Sequence, residues 1–515
     1  MRNLILVMTN RLGRMLAAIG LVVSLGLTGL PAHAEDSPTI AKPITSASVG
    51  IQMFGWNWNA LADECTNYLG PNGYDWILTL PPQEHKTGNQ WWVHYQPVSY
   101  KLESSAGTRA EFAHMVSDCN AAGVKVVTDA VVNHMAGGRG IGFAGTEYEN
   151  ADFSPLFAAN DFHSGLAKSD PHYCSTDISN WNAFDERTNC KFPGLPDLAT
   201  EKSSVRQKIT DFLNDQLSLG VSGFRIDAAK HIQPADLKAI KSLLIRDAYF
   251  VQEVAGSNTI AQEYLGTGDV WAWDQQQFAT DMFSSPGYAN LGKSFDAASR
   301  EYGLGDQALT WVTNHDTDHH GGGVTYNQGK LYQLSFAWIL SEPYGKPMLY
   351  SGYAFFDENA EAPQNVSGKI EKPYCASSTE VKFNKKIPTE STYDQGDFTC
   401  VERWKPLTGM IGWRDAVGDA AKKYVYAKTG VYGFARGTQG YVVFNSNARS
   451  FSASKLKTGL PAGTYCDHYS GGKSPIKLAG KTCSGLAVTI AKDGTLTTKL
   501  AGLSALAISS ASRLK

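Results

Sequence analysis

From Val49 to about Asp415, short apolar or β-branched runs alternate with stretches whose apolar residues recur at helical spacing. The runs Gly50–Trp56, Trp76–Leu80, Val124–Ala130, Gly223–Asp227, Tyr249–Val254, Leu309–Asn314 and Pro347–Tyr350 read as buried parallel strands. Two of the intervening helices can be placed closely. Thr108-Arg-Ala-Glu111 is a capping box, followed by Phe112, Met115, Val116 and Cys119 on one face and by Gly123 as a stop. The other begins near Ser203 or Ser204, carries Val205, Ile209, Phe212, Leu213 and Leu217, and ends at Gly220. Each helix delivers the chain into the next strand, as in an α/β fold with a parallel sheet.

Two regions break the rhythm. Residues 135–200 are rich in Gly, Asn, Asp and aromatics, and are too long for an ordinary connection, so a small inserted domain is expected there. After Ala416 the helical pattern stops. Short alternating segments follow (Tyr441–Phe444, Leu486–Ile490, Thr495–Leu500, Ala505–Ile508) between Gly-rich turns, the pattern of an all-β domain over 416–515. The barrel-like α/β region then comprises 35–134 and 201–415.

Arg2, Arg11 and Arg14 precede an apolar stretch from Met15 to Leu30 and the A-x-A signal Ala32-His33-Ala34. This is an export signal, residues 1–34, with cleavage expected after Ala34. The remaining 481 residues carry 43 Lys and Arg against 49 Asp and Glu. That mildly acidic balance gives no support to binding nucleic acid or membrane through a basic surface, and suits a neutral substrate. All eight cysteines lie in the exported part and none has CxxC spacing, so disulfides are expected and zinc is not. Eight cysteines allow 105 pairings. Their positions fall into four local couples: Cys65–Cys119, Cys174–Cys190, Cys375–Cys400 and Cys466–Cys483.

Chemistry gathers at the strand ends. Side chains alternate along a strand, so Arg225 and Asp227 share one face while Phe224 and Ile226 share the other. The same test pairs Val251 with Glu253 and Asn314 with Asp316. Three carboxylates, Asp227, Glu253 and Asp316, thus stand at the ends of three strands, where a β/α barrel places its reactive groups. Glycosidic hydrolysis needs one protonated carboxylic acid and one ionised carboxylate. Arg225 is suited to keeping Asp227 ionised; Glu253, beside Val251 and Val254 with no adjacent cation in sequence, suits the acid. Gln90-Trp-Trp-Val-His-Tyr-Gln96 offers aromatic platforms for sugar rings, and Asn133 and Asp197, at the edges of the inserted segment, offer oxygen donors for a hard cation.

The strings Asp129-Ala-Val-Val-Asn-His134, Gly223-Phe-Arg-Ile-Asp-Ala-Ala-Lys-His231, Gln252-Glu-Val254 and Asn314-His-Asp316, with Trp91-Trp92…Tyr95-Gln-Pro-Val-Ser-Tyr100, resemble the α-amylase family of glycoside hydrolases. Similarity is greatest to animal-type and streptomycete-type members. The resemblance implies a (β/α)8 TIM barrel, a loop domain inserted after strand 3 and a C-terminal antiparallel β-sandwich. It implies a secreted, monomeric, retaining enzyme of α-1,4-glucans, with Asp227 as nucleophile, Glu253 as acid/base and Asp316 as transition-state stabiliser. Substrate contacts would come from Trp91, Trp92, Tyr95, Gln96, His134, Arg225, Lys230, His231, His315 and His320. Ca²⁺ would be held by Asn133, Asp197, the His231 carbonyl and a carbonyl near Thr188, where relatives commonly have Arg.

Two departures from the family pattern stand out. Met348 occupies the place of a basic chloride ligand of animal-type members, and Lys346 lies two positions away, so no chloride requirement is expected. Asp316-Thr-Asp-His-His320 lacks the usual Arg three residues after the Asp, and His319 or His320, beside Gly321-Gly-Gly323, is expected to form a mobile cleft edge. An exo-acting or glycosyl-transferring enzyme of the same fold, and a catalytically silent glucan-binding protein, are the competing readings.

Overall fold

The computed structural model describes residues 44–45, 47–256, 258–287, 303–477 and 480–515. The expected export signal lies outside them. Eight parallel strands close into a barrel: β1 (Gly50–Met53), β2 (Trp76–Thr79), β3 (Lys125–Ala130), β4 (Gly223–Ile226), β5 (Tyr249–Gln252), β6 (Asp269–Trp271), β7 (Ala308–Thr310) and β8 (Lys346–Ser351). Each pairs with its sequence neighbours, and β1 closes on β8. This is the expected fold. Sequence patterning misses β6, which is only three residues long and follows a glycine, too short to show a period.

Alternation along the strands builds two layers. Trp76, Leu78, Val127, Val251, Trp271, Leu309, Trp311 and Met348 fill the barrel interior. Ile77, Val126, Phe224, Ile226, Phe250, Val270 and Leu349 point the other way, into the large core that includes the helices. Register places Arg225 beside Asp129 on one side and Val251 on the other, so Arg225 points inward with them. The helix Arg109–Ala121 begins with its Thr108–Glu111 capping box and buries Phe112, Met115, Val116 and Cys119. The helix Ser203–Ser218 likewise buries its five expected apolar residues.

Between β3 and the helix Ser203–Ser218 the chain is a loop-rich insertion with one short hairpin, Arg139–Ile141 with Glu147–Glu149. Glu84 anchors it, accepting hydrogen bonds from the backbone N–H groups of Ala144 and Thr146 and from the Thr146 hydroxyl. Beyond the helix Lys405–Val417 lie two four-stranded antiparallel sheets. The first comprises β9 (Lys422–Lys428), β10 (Val431–Arg436), β11 (Gly440–Asn445) and the last strand, β16 (Ser504–Ser509). The second comprises β12 (Phe451–Lys457), β13 (Gly463–Cys466), β14 (Ala487–Ile490) and β15 (Thr495–Leu500). Val431, Ala435, Val443, Leu456, Tyr465 and Leu496 pack between the sheets, while Tyr432, Phe434, Val442 and Phe444 belong to the core shared with the barrel. The four disulfides join the expected couples, with Cα–Cα distances from 4.9 to 5.6 Å. No helix among the described residues is long and apolar enough to cross a membrane.

Candidate active site

Asp227 directly follows β4, and Glu253 directly follows β5. Asp316 lies in the short helix His315–His319 beyond β7, which Asn314 caps. All three are thus carried at C-terminal strand ends. Arg225 joins Asp227 and Glu253, together with Asp129, into one group. Its Nη1 donates to Asp227 Oδ1 at 2.8 Å and to both Asp129 oxygens at 2.8 Å. Its Nη2 forms an ion pair with Glu253 Oε2 at 2.9 Å. The expectation that Glu253 has no cation beside it is therefore corrected: strand register brings Arg225 across from β4, a neighbour that local sequence cannot reveal.

Four carboxylates, Asp129 included, face a single guanidinium. Burial pushes Asp227 well above the ordinary carboxylate range; Arg225 pulls it back, while Glu253, Asp129 and Asp316 push it up further. Burial raises Asp316 to about 7, assisted by the charge of Glu253, and raises Asp129 to about 6 against the pull of Arg225. More acids than cations share this buried site, and burial raises Asp129, Asp227 and Asp316 alike. Glu253 Oε2 also accepts the backbone N–H of Ala228 at 2.9 Å. Ala228 has φ 47°, a left-handed conformation costly for a residue with a Cβ, and it turns the chain just after Asp227.

Aromatic rings wall the site. Tyr95 stacks on His315, centroids 4.8 Å apart and planes 2° from parallel, and donates its hydroxyl to Asp129 at 3.0 Å. His315 accepts Gln52 Nε2–H at Nδ1, 2.8 Å away, which leaves its proton on Nε2, 3.4 Å from Asp316 Oδ2. Trp91 is only 3% exposed, packed against Phe54, Tyr95, His315, His319 and His320. It is part of the wall; Trp92, half-buried, is the indole with a free surface. His319 is buried too, stacked on Phe355 at 4.0 Å and held by the Glu358 carbonyl at 2.8 Å. The expected mobile edge is thus corrected for His319, because the sequence-distant loop after β8 packs over it. His320 is exposed beside Trp91.

The remaining expected contacts divide. Lys230 is half-buried after β4, and burial lowers its ammonium pKa. Gln96 accepts the Gly137 N–H at 3.2 Å and so pins the start of the insertion. Both His134 nitrogens are engaged: Nε2 donates to the Tyr95 carbonyl at 3.0 Å and Nδ1 faces the Asn133 amide at 3.3 Å. Sequence reading did not single out Asp129 as a site residue; its signal was the alternation that aligns it with Arg225.

Around Asn133 the donor set fits a hard cation. Asp197 bridges to His134 across the base of the insertion, and its Oδ2 accepts from His163 Nδ1 at 2.6 Å. Asp197 Oδ1 is buried and completes no hydrogen bond among the described residues, an orphaned carboxylate oxygen of the kind a cation would satisfy. Thr188 is buried in the adjacent helix Phe184–Asn189, and the His231 ring holds the Arg187 carbonyl at 2.9 Å, which ties β4's end to that helix. By contrast, the cluster Cys375, Cys400 and Glu402 is no metal centre, since its sulfurs are bonded to each other.

Deep in the barrel, Met348 lies in the apolar cluster with Trp271 and Trp311. Lys346, two residues earlier on β8, pairs with Asp269 at 2.9 Å.

Residues 83–284 match the α-amylase catalytic domain, and residues 424–511 match the α-amylase C-terminal all-β domain. The chain is 36% identical to an α-amylase of Streptomyces violaceus over 88% of its length and 75% of that protein. It is 34% identical to an α-amylase of Tenebrio molitor over 86% of its length and 92% of that protein. The crystal structure of α-amylase I from Eisenia fetida superimposes with a TM-score of 0.78 at 28% identity, covering 90% of this chain and 97% of that one. A Glu-to-Gln variant of that enzyme has been crystallised with maltohexaose. The chain belongs to the α-amylase family of glycoside hydrolases.

Proposed function

We propose that the protein is an exported, monomeric α-amylase that cuts internal α-1,4 bonds of starch, glycogen and related glucans with retention of anomeric configuration. The observation that carries this reading is the gathering of Asp227 and Glu253 on Arg225, with Asp316 close enough to feel both charges, at the C-terminal end of the barrel. In this reading Glu253, positioned by the Ala228 N–H, delivers the proton to the glycosidic oxygen. That leaves Asp227, fixed on Arg225 Nη1, to attack the anomeric carbon and form a covalent glycosyl-enzyme. Glu253 then takes a proton from the incoming water, which displaces Asp227. Asp316, with the His315 Nε2–H beside it, stabilises the positive charge that develops on the sugar ring.

Asn133, Asp197 and the carbonyls of His231 and Thr188 would hold Ca²⁺. The ion would supply no reacting group; it would clamp the insertion to the β4 end, which carries Asp227. The domain limits proposed are 35–134 and 201–415 for the barrel, 135–200 for the insertion and 416–515 for the C-terminal sandwich. Product analysis tests the reading. Long amylose should yield a broad ladder of early fragments, and proton NMR should show the α-anomer first. One dominant short product would favour the exo-acting alternative, and a β-anomer would exclude retention.

A further inference from the structure

The small overall charge conceals a strong asymmetry. Residues 416–515 carry 14 Lys and Arg against three Asp, whereas residues 35–415 carry 29 Lys and Arg against 46 Asp and Glu. Eleven of the 14 cations are exposed, and Asp419 and Asp493 are the exposed acids of that region. The first sheet turns Tyr432 and Phe434 toward the barrel, and the strands of the second sheet carry three of the exposed cations, Lys455, Lys457 and Lys499. On it, Lys455, Lys457 and Lys499 alternate with hydroxyls such as Ser452 and Thr497, and none of the three lysines makes an ion pair with an acid among the described residues.

Local backbone supports a dedicated surface. Tyr424 on β9 and Lys455 on β12 have φ 51° and 54°, a conformation that is strained for residues other than glycine and asparagine. Both sit where the strand register slips, and such bulges re-aim side chains outward. The two strands belong to different sheets, yet their exposed side chains meet: the Lys457 ammonium lies 5.5 Å from the Tyr424 ring centre, and Lys428 lies 5.8 Å from that of Phe451. Exposed Tyr424 thus stands beside Lys457, which makes no ion pair among the described residues.

We propose that this face binds an anionic polysaccharide whose rings carry carboxylate or sulfate groups, tethering the enzyme while the acidic barrel faces away from the polyanion. Lysines in this strip are hydrated point charges without the forked geometry that favours phosphate, and hydroxyls with one flat ring suit sugars. Among the described residues of 416–515 the exposed large apolar side chains are Tyr424, Val425 and Leu486, a small surface for entering a bilayer. The inference does not depend on the catalytic reading.

Alginate is the probe, with neutral pullulan, duplex DNA and phosphatidylglycerol vesicles as comparisons. The full chain should bind alginate and lose affinity about tenfold or more between 50 and 200 mM salt, as expected for several released counterions. The triple variant K455E/K457E/K499E should bind alginate about tenfold more weakly at low salt while hydrolysing maltoheptaose within about twofold of the parent rate. Equal alginate binding by that variant would overturn the proposal. So would binding of pullulan as tight as alginate, or tighter binding of DNA or vesicles. If the triple variant lost hydrolysis, the milder K455Q/K457Q pair would decide, since unchanged alginate affinity there would also refute the proposal.

Discussion

Arg225 and Glu253 form an ion pair of 2.9 Å, while the other terminal nitrogen of the same guanidinium holds Asp227 at 2.8 Å. One cation therefore contacts both reacting groups. Replacing it by Gln removes the charge that pulls down Asp129 and Asp227, so their protons are held more tightly. R225Q is expected to lower kcat/KM by about 10² to 10³ and to move the acidic limb of its pH profile upward by roughly one unit. A profile that falls in height without moving would show that Arg225 acts by packing alone.

Met348 gives the halide prediction. An apolar side chain among Trp271 and Trp311 offers an anion no charge, and Lys346 is committed to Asp269. Chloride added to halide-free enzyme should change turnover by less than about twofold. A severalfold rise would contradict this.

Asp318 gives a pH prediction outside the reacting groups. It lies two residues after Asp316, buried, and neither carboxylate oxygen completes a hydrogen bond among the described residues, although Tyr350 faces it. Tyr326, Tyr332 and Tyr353 also surround it. Burial pushes its carboxyl from 3.8 up to about 8. The folded chain therefore keeps a proton that the unfolded chain releases above pH 3.8, and stability falls as pH rises through that window. D318N carries no such proton. Its Tm relative to the parent should climb steadily from pH 5 to pH 8, and a constant difference would refute the assignment.

How far the sequence reaches is clear from particular residues. Asp227, Glu253 and Asp316 were legible because strand alternation and β/α order place them at strand ends. The capped helix Arg109–Ala121 and the four disulfides were legible because their signals are local. The partners Arg225–Glu253 and His319–Phe355 were not, since each joins residues from separate strands or loops. Burial of Trp91 was hidden for the same reason: its indole donates to the carbonyl of Glu358, far along the chain. Strands β9, β10, β12 and β13 escaped because bulges or Gly-, Lys- and Ser-containing stretches blur their alternation.

Asp197 supplies the metal prediction. Chelation should lower Tm and activity together, and Ca²⁺ should restore both. A ligand present at 100 times its Kd stabilises the native state by about 2.7 kcal/mol. N133A should shrink the calcium-induced rise in Tm, because it removes an oxygen donor next to the orphaned Asp197 Oδ1. A Tm indifferent to chelator would remove calcium from the account.

The most direct measurement is the turnover of E253Q on a maltooligosaccharide, using protein whose Tm matches the parent. Gln can still accept the Ala228 N–H but has no proton to give the departing oxygen. The account predicts a fall in kcat of about 10² to 10⁴. A loss of less than about tenfold would show that the proton comes from elsewhere and that the assignment of Glu253 is wrong.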